Sequence, residues 1–154
     1  MPFVPFHDYF PALAEQETRS ISILDEANPW NLPPDDYGFM ELFCDEPGCD
    51  CRRVFLLVLS PHDPQPKAVI AYGWEKLRFY KRWLRGLGPE EARDLKGPLL
   101  NAGSPQSKIA PSLLRLADDM LLRDPAYMER TRRHYRMMRK VVDGGAGGGA
   151  FEGR

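Results

Sequence analysis

Val54-Phe55-Leu56-Leu57-Val58-Leu59 is an unbroken apolar run set between two turn signals. A short apolar run rich in large and β-branched residues, bounded by turns, marks a buried strand. It predicts a strand over 52–59 at the centre of a sheet, and the segments around it extend that sheet. Arg19-Ser20-Ile21-Ser22-Ile23 alternates polar and apolar residues, the period of a half-buried strand. Residues 37–44 are rich in aromatic and apolar side chains, and residues 67–74 form a fourth apolar segment. Asp45-Glu46-Pro47-Gly48 separates the second strand from the third: proline presets one backbone angle and glycine accepts a positive one. Prolines in 60–66 and 28–36 predict loops there.

After residue 74 the period changes. Leu77, Tyr80, Leu84 and Leu87 fall three and four apart, one face of a helix ended by Gly88. Pro89 opens a short helix that stops before Gly97, and Ile109, Leu113, Leu116 and Met120 mark a third. Asp124-Pro125 reads as an N-cap followed by proline at the first helical position. The last helix runs from there to about Val142, with Tyr127, Thr131, Tyr135 and Met138 on one face. A short helix is also expected over 11–16. Strands first and helices after them predict an α+β fold, an antiparallel four-stranded meander with a helical C-terminal half packed on it. The expected organisation is one domain over 1–142 and a flexible glycine-rich tail over 143–154.

Cys44-Asp-Glu-Pro-Gly-Cys49-Asp-Cys51 is the chemically distinctive segment. An odd, tight cluster does not read as a disulfide framework. Cys44 ends one strand and Cys51 begins the next, so the Pro47-Gly48 turn brings them together. Cys49 and Cys51 are two apart and point to one side of an extended chain. Three soft ligands converging in this way suit a tetrahedral zinc site. Arg52 and Arg53 follow at once, and a nearby positive charge favours thiolate. The expected site is Cys44, Cys49 and Cys51 with His134 as the fourth ligand; Asp50 or water are the alternatives. His62 falls at the far end of the third strand. The expected role is structural, because the local carboxylates are ordinary hairpin-tip residues. A reversible disulfide within the cluster is the competing redox reading.

The net charge of −1 hides an asymmetry: residues 1–66 carry −9 and residues 67–154 carry +8. Arg78, Arg82 and Arg85, with Arg132 and Arg136 on the last helix, could face a phosphate backbone or a protein partner, as in a nucleic-acid or ribosome-associated module. Alternatively, the two halves neutralise each other on folding. No Ser-His-Asp or Cys-His-Asn order stands out, so no catalytic residue is assigned. The chain reads as a binding module more readily than as an enzyme. No apolar run spans a membrane and the N-terminus has no secretory pattern, so a cytoplasmic location is expected.

The segment Cys44-x-x-Pro47-x-Cys49-Asp50-Cys51-Arg52-Arg53-Val54, with Gly73-Trp74-Glu75, Pro105-Gln106-Ser107 and Arg133-His134-Tyr135 downstream, resembles a group of uncharacterised bacterial proteins with a C-x4-C-D-C-R-R-V core. The resemblance implies that Cys44, Cys49, Cys51 and His134 belong to one recurring pattern, and it implies no activity.

Overall fold

The computed structural model describes residues 3–86 and 88–145. The elements, in chain order, are β1 (Phe3–Pro5), α1 (Phe6–Tyr9), α2 (Pro11–Glu17), β2 (Arg19–Ile23), β3 (Asp35–Cys44), β4 (Arg53–Ser60), β5 (Asp63–Gly73), α3 (Leu77–Trp83), α4 (Pro89–Lys96), β6 (Leu99–Leu100), α5 (Ala110–Ala117) and α6 (Pro125–Gly145). A π-helical turn, Asp118–Leu122, joins α5 to the segment before α6. The expected meander is present as β2-β3-β4-β5, all antiparallel, within a six-stranded sheet.

Two edge pieces share one side of β3. β1 lies against Leu42–Cys44 and β2 against the stretch from Asp35 to Phe39. The chain leaves the edge after Pro5, forms α1 and α2, and returns at Arg19. Met40 and Glu41 face the gap between the pieces. On the other side β3 pairs with β4, from Gly38↔Leu59 to Leu42↔Phe55.

Strand alternation divides the side chains between two faces. Tyr37, Phe39 and Phe43 of β3, Val54, Leu56 and Val58 of β4, and Ala68 and Ile70 of β5 point to one side and are fully buried. Leu113, Leu116 and Ala117 of α5, Leu121, and Tyr127 and Met138 of α6 close over them. Gly73 and Ala71 face the other side, where α3 and α4 cover one end. The Gly73 position is held to glycine by packing, since a Cβ there would collide with the Tyr80 ring. The helices therefore cover both faces, one fully and one in part, where the sequence suggested one.

Three boundaries differ from the sequence reading. β5 begins at Asp63 and takes in Pro64 and Pro66. The pairing with β4 shifts between Val58 and Ser60, so no ladder bond is asked of those prolines. α3 stops at Trp83, short of the expected stripe: Leu84 is largely exposed, and Gly86 takes a φ of 87° that breaks the helix. Leu87 lies outside the described residues. At the other end α6 passes Val142 and reaches Gly145, so the first part of the expected tail is helical. Residues 146–154 lie outside the described residues.

Leu56 fills the centre of the covered face, and its neighbour Leu57 points to the half-covered one. Leu56→Ala should cost about 2–5 kcal/mol through lost burial and a residual cavity. Leu57→Ala should cost clearly less, read as urea midpoints at unchanged m-value.

Candidate metal centre

Cys44 is the last residue of β3, and Cys51 stands two residues before β4. The turn between them closes through Cys49 N–H donating to the Glu46 carbonyl at 3.2 Å. Gly48 has a φ of 77°, a left-handed conformation that favours glycine. Arg52, with a φ of 50°, also adopts it, which is uncommon for a residue with a side chain. Two tyrosines hold it there. The Arg52 N–H donates to the Tyr135 hydroxyl at 3.1 Å, and the Tyr80 hydroxyl donates to the Arg52 carbonyl at 2.9 Å.

This backbone gathers all three thiols. The Sγ atoms of Cys44, Cys49 and Cys51 lie within 4.8 Å of one another. Cys44 and Cys51 are buried and Cys49 is half-buried, and all three are free of disulfides. A tetrahedral zinc with Zn–S bonds of about 2.3 Å places its sulfurs about 3.8 Å apart. The trio therefore needs at most a contraction of about an ångström to hold such an ion, and the donor set fits a soft metal.

Helix α6 braces the tip from one stripe of residues four apart. Tyr135 meets Arg52 and Asp50; Arg139 and Asp143 follow one and two turns later. The Arg139 guanidinium donates to the carbonyls of Cys44, Glu46 and Cys49, gripping both arms of the turn. Asp143 accepts the Gly48 N–H at 2.8 Å. Asp143, placed by sequence in a flexible tail, is thus part of the support. Its signal was its i+4 step from Arg139, hidden by the glycines that follow it.

Protonation runs against the sequence expectation. Burial pushes the Cys44 thiol up, and it pushes Cys51 up to about 12, helped by the neighbouring thiols. The flanking arginines do not offset it. Arg52 turns its guanidinium to Asp50 at 2.8 and 2.9 Å and to Glu75 at 3.4 Å. Arg53 contributes a backbone N–H to Cys51, and its side-chain Nε donates to the Leu95 carbonyl.

His134 is not brought to the sulfurs. It lies buried on α6, and its two ring nitrogens both face carboxylates: Nδ1 is 2.6 Å from Glu41 and Nε2 is 2.6 Å from Glu17. Its ring stacks on Phe6 at 4.1 Å. The fourth-ligand assignment is corrected accordingly, because no nitrogen is left to meet a metal. Sequence spacing could not reveal this, since Glu17 is 117 residues away and Glu41 is 93. Arg133 extends the cluster with two bonds to Glu17, and Thr131 with one to Glu41. Asp50 is engaged by Arg52 and Tyr135. His62 pairs with Asp35 at 2.9 Å, at the sheet end away from the cluster, as expected.

The basic residues divide. Arg132 and Arg136 share Glu129 at 3.7 Å each. Arg78, Arg82 and Arg85 are exposed and have no acidic partner among the described residues. No described helix is long and apolar enough to cross a membrane.

No family model, no curated protein and no solved structure matches this chain. The fold and site define an α+β domain with three converging cysteines that could hold a metal ion.

Two outcomes follow. Arg139→Met should cost on the order of 2–3 kcal/mol, because three carbonyls lose a charged donor. Amide exchange at residues 45–52 should rise more than in the sheet. The bond from His134 and the charge of Arg133 hold the Glu17 carboxyl below its ordinary value of 4.5. A lowered carboxylate contributes stability that is present above that value and is lost as pH falls through the folded-state value. The urea midpoint of the native chain should therefore exceed that of Glu17→Gln near pH 6, and the gap should close below about pH 4.

Proposed function

We propose that this is a small zinc-binding domain in which the ion has a structural role at the β3–β4 hairpin tip. The observation that carries the reading is the convergence of three sulfurs within 4.8 Å of one another. Cys44, Cys49 and Cys51 serve as thiolate ligands, and a water molecule, rather than Asp50, whose two oxygens are held by Arg52, completes the coordination. The high thiol pKa values of Cys44 and Cys51 argue against a reactive redox pair, which needs a thiolate at neutral pH. A divalent ion removes the thiol protons on binding and lowers the free energy of the folded form.

The tip is also where α6 meets the sheet. An ion there ties the hairpin arms to each other, and Arg139 ties both to the helix. The role supported is consolidation of a fold whose C-terminal helix is anchored by polar contacts at that end.

Elemental analysis of untagged protein should find close to one equivalent of zinc, and Cys51→Ser should reduce this below about a tenth. Cobalt substitution should give the intense thiolate charge-transfer band of a tetrahedral sulfur site. Chelation should lower the melting temperature of the native chain and leave that of Cys51→Ser unchanged. Less than about half an equivalent, with no cobalt band, would defeat the proposal.

A further inference from the structure

A cleft on the half-covered sheet face stands apart from the cysteine cluster. Its volume is about 560 Å³, in the range of sites that take small organic molecules. The rings of Phe3 and Phe55 form its floor, stacked with centroids 4.0 Å apart. Ala71, Leu95 and Leu99 supply apolar wall, and Leu84 stands at the side.

One cation enters this apolar space. Arg53 is only 7% exposed, and its guanidinium lies 5.3 Å from the centroid of the Phe55 ring. Its Nε donates to the Leu95 carbonyl at 2.7 Å. The two Nη groups make no hydrogen bond to protein, and no carboxylate reaches ion-pair distance among the described residues. The contrast with Arg52, which has two carboxylate partners, is sharp. The Nη groups are thus free to meet a ligand in the cleft, and the fork of a guanidinium matches the two oxygens of a carboxylate.

The rim sets a limit on the ligand. Glu91 and Asp94 line the cleft from α4 and are exposed. Glu91 is turned to accept the Gly88 N–H at 3.1 Å. This acidic rim repels a second negative group, so the charge complementary to the cleft is a single anionic head placed inside.

We propose that the cleft binds a small monocarboxylate with an apolar or aromatic body, its carboxylate gripped by the Nη groups of Arg53 and its body lying on Phe3 and Phe55. None of the three cysteines lines this cleft. It is a binding site, with no group in it placed to react.

The test is calorimetric titration of the full chain with phenylpropionate and with its neutral analogue phenylpropanol. The acid should bind at least about tenfold more tightly, the value of a charge-assisted hydrogen-bonded pair. Amide shifts should centre on Arg53, Ala71 and Leu99. Arg53→Gln should remove the preference for the acid, and Leu99→Trp, which fills the cleft and keeps Arg53, should abolish binding of both. Phenylsuccinate, with a second carboxylate, should bind more weakly than phenylpropionate. Equal affinity for acid and alcohol, undiminished binding to Leu99→Trp, or no heat and no shift up to about 10 mM would overturn the proposal. Should Arg53→Gln fail to fold, the acid-to-alcohol ratio and the Leu99→Trp result decide it.

Discussion

The imidazole of His134 faces two carboxylates at once, and that arrangement joins three distant parts of the chain. Glu17 ends α2, Glu41 lies in β3 opposite the break in the edge strand, and His134 belongs to α6. Removing the imidazole would leave Glu41, only 5% exposed, with only its contact to Thr131. Because this contact fixes the helix on the sheet, it also fixes what lies one turn further along. Tyr135 reaches the Arg52 peptide and Arg139 reaches the carbonyls of the turn. The geometry of the cysteine trio is thus set from two sides, by its own tight turn and by a helix whose position is decided elsewhere.

Much of the sheet was legible in the sequence because its signals are local. The alternation over Arg19–Ile23 and the apolar run 54–59 each carry their own period, and the strands formed there within a residue or two. The proximity of Cys44, Cys49 and Cys51 was legible for the same reason: one turn and a two-residue step bring them together. What stayed hidden is non-local. β1, at three residues, and β6, at two, are too short to show a period, and only their partners define them. The partners of His134 follow from the packing of α6 across β3, which spacing along one helix does not encode. The arginines that follow the cysteines point to thiolate in the sequence, but where a guanidinium turns is set by the fold. Arg52 turned to carboxylates, and burial won.

The separation of acidic and basic halves has a partial structural explanation. Glu17 in the acidic half gathers Arg133 and His134 from the basic half, and its carbonyl takes Arg130. Asp119 accepts the Trp30 indole N–H at 2.8 Å, and Arg19 pairs with Asp124, so contacts of opposite polarity run across the same boundary. Arg52 and Arg53 show how little residue type alone decides. One sits in a left-handed turn with two carboxylates, while the other enters the sheet, lies over the Phe55 ring and donates to the Leu95 carbonyl.

The divided edge of the sheet carries a consequence for how copies of this chain meet each other. An unbroken outer strand offers a long row of unpaired amides and carbonyls, a template on which another polypeptide can add itself. Here one margin is built from pieces of three and five residues separated by a helical detour, and the strand beyond β5 pairs over two residues. On the β1/β2 margin an incoming chain finds no continuous ladder to extend. By interrupting itself, this margin offers a second chain only short, separated segments on which to pair.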